Sequence, residues 1–256
     1  MTGVILFVLG LIIGSFLNVL GLRWNSGTTL GRRSGCPVCG KTLRWFELIP
    51  IISFLWQRGR CRGCGTRISW QYPTIEILTG LVFVTLYFVA GLTTYYLLLI
   101  TIFSIFIIIL IYDFRHRIIP DNLVYSAIIL SLFIPLFLIP YSLLDWLAGP
   151  IIFIFFALIW FFSHGRAMGF GDAKLGLALG LLLGAAQGFS AVVLAFWLGA
   201  GTMLIVMFFS GVTRLLRSAK KLTMKSEIPF APFFILGAWL SLIYELDLLH
   251  VLLWSK

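Results

Sequence analysis

Charge is the scarcest thing in this chain. Only 11% of its 256 residues are Asp, Glu, Lys or Arg, where a soluble domain carries about a quarter. Acids are rarer still, nine against 19 Lys and Arg. A water-soluble fold is thereby excluded. With 61% apolar residues and a mean hydropathy of +1.06, the apolar surface exceeds what one core can hide, so lipid is the solvent for much of it. Cysteine is limited to four residues in two close pairs, a site pattern and not a disulfide scaffold. Residues 1–22 lack a basic n-region and a small-residue cleavage site, so they are expected to remain as a helix, unlike a removable signal peptide. No convincing internal repeat is present.

What is abundant is long apolar sequence. A helix needs roughly 20 apolar residues to cross the hydrocarbon core. Stretches of about that length run 2–22, 74–91, 95–112, 122–140, 146–163, 173–187, 189–211 and 230–251. An all-α polytopic membrane protein with about eight transmembrane helices is expected. The 173–187 stretch is rich in Gly and Ala, which suits close helix packing inside the bundle. Three regions follow: a first helix (1–22), a polar cysteine-rich insert (23–72), and a seven-helix membrane domain (73–256).

The basic residues orient the chain. Nine lie in the insert: Arg23, Arg32, Arg33, Lys41, Arg44, Arg58, Arg60, Arg62 and Arg67. Arg115 and Arg117 follow the third span, and Arg166 and Lys174 bracket the turn after the fifth. Arg214, Arg217, Lys220, Lys221 and Lys225 follow the seventh. The opposite loops hold none, and Lys256 is terminal. Eighteen of nineteen on one side is the positive-inside pattern, which makes that side cytoplasmic and puts both termini outside. A loop facing lipid headgroups accounts for the 214–225 cluster better than nucleic-acid binding does.

The cysteines read Cys36-Pro-Val-Cys39-Gly and Cys61-Arg-Gly-Cys64-Gly. A C-x-x-C turn presents two thiolates to one tetrahedral metal, and two such turns make a four-cysteine zinc site. Flanking Arg33, Lys41, Arg60 and Arg62 favour the thiolate form. Four thiolates leave no open position, so Zn2+ here would be structural, folding an insert too small for a large core. Two disulfides or a redox pair are the alternative, and a cytoplasmic location argues against stable disulfides.

Among the nine acids, Asp145, Glu245 and Asp247 are read as outer-surface residues needing only solvation, Glu47 lies in the insert and Glu227 in a basic loop. Asp113 and Asp172 differ, because each sits where an apolar span meets the basic side. Ionisable groups at membrane depth are costly and are usually functional or paired. Two carboxylates brought together share a proton and can serve as base and acid in turn. Gly169 and Gly171, just before Asp172, would permit an unwound entry where a peptide could approach. The blander alternative makes Asp172 a helix cap and pairs Asp113 with Arg115 or Arg117. Ser15, Asn18 and Glu76 are expected to hydrogen-bond between helices, and Asp121, after Pro120, to cap one. Trp24, Trp45 and Trp70 suit interface anchors, and His116 and His164 receive no role.

The stretch Met168-Gly169-Phe170-Gly171-Asp172-Ala173-Lys174-Leu175 resembles the Gly-x-Gly-Asp motif of type IV prepilin peptidases. Other segments resemble the same family in the same order. These are Gly14-Ser15-Phe16-Leu17-Asn18-Val19, the two cysteine pairs, Ile68-Ser69-Trp70-Gln71-Tyr72-Pro73-Thr74-Ile75-Glu76, Asp113 with Ile119-Pro120, and Ile228-Pro229-Phe230-Ala231-Pro232-Phe233. Gln71 stands where Arg is common, and Ala231 where Gly is common. The resemblance covers almost the whole chain.

The resemblance implies a membrane aspartic endopeptidase of the bacterial plasma (inner) membrane that cuts the basic leader from prepilins and pseudopilins at the cytoplasmic face. Asp113 and Asp172 would be its catalytic pair, with Gly169, Gly171 and Lys174 in support. Many members then methylate the new N-terminus with S-adenosylmethionine, although residues 23–72 contain no glycine-rich nucleotide loop. The leader meets a basic face, so Glu47, Glu76 or Asp121 are expected to assist its binding, with the apolar pilin helix docking between spans. Nucleic acid is not an expected partner, and the oligomeric state stays open. A proton- or cation-coupled transporter using the same aspartates, or a non-catalytic zinc-bearing scaffold, would be the alternatives.

Overall fold

The computed structural model describes residues 1–25, 31, 33–166, 168–216, 230–248 and 250. Arg32, the basic residues at 217–225, Glu227, Ile228, Pro229, the end of the 230–251 span and Lys256 lie outside the described residues. The described residues form helices, with no strand beyond two isolated bridges. Five helices are long and apolar enough to cross a membrane, and two apolar helices are shorter. The chain divides into two compact units, Met1–Tyr112 and Asp113–Lys256.

The first unit contains α1 (Thr2–Arg23), a 3-10 turn (Trp45–Leu48), the short α2 (Ile52–Trp56), α3 (Gln71–Ala90) and most of α4 (Thr94–His116). Apolar residues lie around the whole of α1, and Val4, Ile5, Ile12 and Phe16 are exposed, as a helix facing lipid requires. Its other face carries small residues. A Cβ on Gly10 would sit 2.7 Å from Gly80 Cα, and one on Gly14 would meet Thr79, so α1 and α3 touch backbone to backbone. Hydroxyls buried in these helices turn inward: Thr79 Oγ1 donates to the Ile75 carbonyl at 2.7 Å, and Tyr96 Oη donates to Phe83 at 3.2 Å.

The second unit contains the last turn of α4, then α5 (Asp121–Phe137), α6 (Leu143–Ser163), α7 (Phe170–Leu216) and α8 (Ala231–Ile243). Glycines again set the packing. A Cβ on Gly180 in α7 would lie 2.5 Å from Gly149 Cα in α6, and Gly237 in α8 abuts the Ala191 carbonyl. Phe156, Phe196, Phe230 and Phe234 form one aromatic cluster from α6, α7 and the start of α8. Helix α8 spans 13 residues, about 20 Å, shorter than the stretch expected from hydropathy, because the chain turns at Tyr244 and Glu245.

The 47-residue α7 is two rods joined at Gly184, whose φ of 72° and ψ of −170° belong to a region only glycine enters readily. These rods answer to the expected 173–187 and 189–211 spans, with the break at 184. Side chains bond the backbone around the corner. Asp145 Oδ1 accepts the Ala185 N–H at 2.9 Å, Tyr141 Oη donates to the Leu182 carbonyl at 3.0 Å, and Ser241 Oγ donates to Gln187 at 2.8 Å. Asp145 also closes a capping box with Ser142 at the start of α6. The expectation that Asp145 needs only solvation is therefore corrected: it caps two helices at once.

Replacing Gly184 with Ala forces a Cβ into a strained backbone, 2.8 Å from Asp145 Oδ1. The expected cost is about 2 kcal/mol, or a fall in Tm on the order of 5 °C in detergent. Gly201→Ala, which meets nothing within 4 Å, should leave Tm unchanged.

Candidate active site

Asp113 lies in the last turn of α4 and Asp172 in the first turn of α7. Both belong to the second unit and both are buried, 4% and 8% exposed. The two carboxylates lie within each other's electrostatic reach, and Asp113 Oδ2 has no hydrogen-bond partner among the described residues. The pairing of Asp113 with Arg115 or Arg117 is not formed; the ion pairs among described residues are Lys41–Glu47 and Lys174–Asp121. Asp172 does interact with the helix start. Its carboxylate is hydrogen-bonded by the Gly169 backbone, and the N-terminus of a helix favours negative charge.

The supporting residues separate by what they touch. A Cβ on Gly171 would lie 2.9 Å from Ile119 Cβ, so a side chain is excluded there. At Gly169 a Cβ would reach only to 3.5 Å from Asp172 Oδ2, which would narrow the approach to that oxygen. Lys174 Nζ is 2.7 Å from Asp121 Oδ1 and lies over the rings of Tyr125 and Phe170. Asp121 was expected to cap α5, but Pro120 occupies that position without a side-chain cap bond. The Asp121–Lys174 pair, 53 residues apart, left no signal in the sequence.

In the first unit, the four cysteine sulfurs lie within 4.8 Å of one another. Cys36 and Cys64 are 3.7 Å apart and Cys39 and Cys61 4.0 Å, far beyond a disulfide bond. A tetrahedron of thiolates around one ion, with bonds of about 2.3 Å, has edges of roughly 3.8 Å, so the cluster could hold a metal ion. The two turns have the same construction. Gly40 and Gly65, at φ 69° and 73°, donate to the carbonyls of Cys36 and Cys61. The N–H groups of Cys39 and Val38 lower the pKa of Cys36, and Thr66, through its hydroxyl first, pushes Cys64 down to about 6. Both shifts favour the thiolates that metals bind, whereas Cys39, although the Lys41 backbone lowers it, is pushed up to about 11 by its hydrogen bond with Cys64 and by burial.

The segment between the turns is held by acids. Glu47, with 2% of its side chain exposed, pairs with Lys41 at 3.1 Å and accepts the Arg44 N–H at 2.8 Å. Arg62, from the second turn, lies over the Phe46 ring. Glu76 in α3 accepts the Ile51 N–H at 2.8 Å and bonds the Ser15 side chain. Ile51 has φ 60°, a strained value for a β-branched residue. Asn18 Nδ2 donates to the Tyr72 carbonyl at 3.3 Å, so Ser15 and Asn18 bridge helices as expected. Glu47 and Glu76 are thus buried and internally engaged, while Asp121 is the exposed acid of the three named for leader binding, its side chain 57% exposed. Trp45 and Trp70 are exposed, as interface anchoring requires.

The Arg44 N–H, and then the Lys41 ammonium, hold the Glu47 carboxyl below its ordinary value of 4.5. A depressed pKa contributes stability that is complete above the ordinary value and is lost as pH falls through the folded one. Protease resistance of the insert should therefore be lower in Glu47→Gln than in the unaltered protein at pH 6. That difference should narrow as pH falls below 4.5 and through the folded value; a gap that is constant with pH would contradict it.

Residues 8–90 match the bacterial peptidase A24 N-terminal domain, and residues 100–217 match the type IV leader peptidase family. A prepilin leader peptidase/N-methyltransferase of Bacillus subtilis (strain 168) is 34% identical over 253 residues, covering 94% of this chain and 93% of that protein. One from Dickeya chrysanthemi is 30% identical over 274 residues, covering 93% and 91%. A third, from Myxococcus xanthus (strain DK1622), is 36% identical over 186 residues, 70% of this chain and 56% of that protein. No solved structure matches. With relatives of this identity along almost its full length, the chain belongs to the type IV leader peptidase family.

Proposed function

We propose that this polytopic membrane protein is an aspartic endopeptidase that removes the leader peptide from type IV prepilins or pseudopilins and then methylates the new N-terminal amine. The observation that carries the reading is the buried pair of Asp113 and Asp172 at the ends of two apolar helices, with one carboxylate oxygen of Asp113 lacking a partner among the described residues. Like-charged carboxylates in a water-poor site hold one proton between them. The ionised member takes a proton from water as its oxygen attacks the scissile carbonyl. The protonated member donates to the carbonyl oxygen, and a proton then passes to the leaving amine as the C–N bond breaks. Both aspartates are assigned as catalytic, with Gly169 keeping Asp172 approachable and Gly171 admitting Ile119. The names of the relatives support the substrate class and the second activity. None of these three relatives is a transporter.

The four cysteines would hold Zn2+, which would crosslink the insert and offer no open position to a substrate. S-adenosylmethionine would supply an electrophilic methyl group, and no residues are assigned to it. Residues 73–256 are read as the peptidase domain and 23–72, behind the helix of 1–22, as the candidate methyltransferase region. The count of basic residues favours a cytoplasmic face for insert and dyad, and the bacterial relatives favour the inner membrane.

A purified prepilin incubated with the protein in liposomes should lose its leader. Asp113→Asn and Asp172→Asn should each reduce the rate by about 10²–10⁴-fold while remaining folded. Mass spectrometry should show one added methyl group on the product only when S-adenosylmethionine is present. Cleavage surviving either substitution would end the two-aspartate mechanism. Metal analysis should find zinc in the unaltered protein and not in the Cys36→Ser, Cys61→Ser double variant; a metal-free unaltered protein would remove the zinc assignment.

A further inference from the structure

Two aspartates on different helices act together only if something fixes how far apart those helices stand. Helix α4 ends at His116 and α5 begins at Asp121, so four residues join them. That join is stiff. Arg117 has φ 55°, its N–H donates to the Asp113 carbonyl at 2.8 Å, and Pro120 is the N-cap of α5. The ring of Pro120 fixes its own φ and restricts Ile119 before it. Whatever holds the start of α5 therefore also holds the turn bearing Asp113.

The first turn of α7 holds it at two points. Gly171 lies against Ile119, and Lys174 reaches Asp121 at 2.7 Å. Gly171 and Lys174 are three residues apart and so share one face of the helix. The Lys174 ammonium is further located by Tyr125 of α5 and Phe170 of its own turn, 5.1 and 5.3 Å from the ring centroids. Asp172 projects from the same turn, but residues two apart do not face each other. Lys174 is consequently engaged with α5 and leaves Asp172 without a paired cation among the described residues.

We propose that Asp121 is a positioning residue of the peptidase: its ion pair with Lys174 ties α5 to α7 and so sets the separation of Asp113 and Asp172. This rests on the reading of those two aspartates as the catalytic pair. Asp121 touches neither aspartate through any hydrogen bond or ion pair among the described residues, so its effect passes through Lys174 and the 117–120 loop. A carboxylate that merely bound the basic leader would affect substrate affinity. One that holds the dyad in register affects turnover.

The test is steady-state cleavage of a prepilin by the full-length protein in liposomes. Asp121→Asn should lower kcat by about 10- to 100-fold, the scale of an ångström-level misplacement, with KM changed less than about twofold. Single charge reversals, Asp121→Lys and Lys174→Glu, should be at least as impaired, and combining them should raise kcat above both. A normal kcat in Asp121→Asn, or a change confined to KM, would overturn the proposal, the latter assigning Asp121 to leader binding. Where the Asn variant does not fold, the swap decides: a double variant no better than its parents also overturns it. Asp113→Asn and Asp172→Asn run alongside, and if they still cleave, the catalytic reading has failed independently of Asp121.

Discussion

Inside a bilayer, a backbone amide or carbonyl released from its helix has no water to turn to and must find a partner in the protein. The second unit depends on how that demand is met at one point. Gly184 breaks α7, and the carboxylate of Asp145, the hydroxyl of Tyr141 and the hydroxyl of Ser241 take up the Ala185 amide and the Leu182 and Gln187 carbonyls. With those partners in place, the chain can turn at Gly184. Each of the two resulting rods packs on a neighbour, one against α6 through Gly180 and Gly149, the other against α8 through Gly237. The first rod starts at Phe170, and its opening turn carries Asp172.

Polar chemistry is distributed unevenly as a result. The corner of α7 is held by side-chain hydrogen bonds, while among the described residues one buried oxygen of Asp113 has no partner, as is also true of Asn18 and Ser131, and neither aspartate has a cation in an ion pair. Buried polar groups in native proteins are normally satisfied, and a catalytic role is one reason for an exception. A membrane helix could have ended at Asp113 with an arginine salt bridge, since Arg115 and Arg117 are close in sequence. The aspartate has no such bridge, while Lys174 is spent on Asp121.

Much of this was legible in the residues. Apolar runs located eight rods, because hydropathy alone decides what a bilayer will accept. Asp113 and Asp172 stood out because each sits where an apolar run meets the basic side, and the doubled C-x-x-C turns announced a shared site. Other features escaped for physical reasons. Residues 183–188 offer two glycines at which α7 could break, and the choice of Gly184 is made by Asp145, on another helix. The pairing of Asp121 with Lys174 depends on two helices meeting across 53 residues, which no local pattern encodes. The capping box of Ser142 and Asp145 was readable as Ser-x-x-Asp ahead of an apolar run, yet a surface position seemed sufficient for Asp145.

The bond from Glu76 to Ile51 gives the insert a mechanical link to its surroundings. Glu76 sits in the second turn of α3, and the Ile51 amide it holds belongs to a bend with a φ of 60°, a conformation that needs such support in a β-branched residue. The insert is therefore bolted to a membrane helix partway along its length, in addition to being continuous with it at Gln71. Helices answer changes in bilayer thickness by tilting. A tilt of α3 would swing Glu76, draw Ile51 after it, and shift the start of α2. The lipid composition of the membrane would in this way be transmitted as leverage to a segment that lies outside the hydrocarbon.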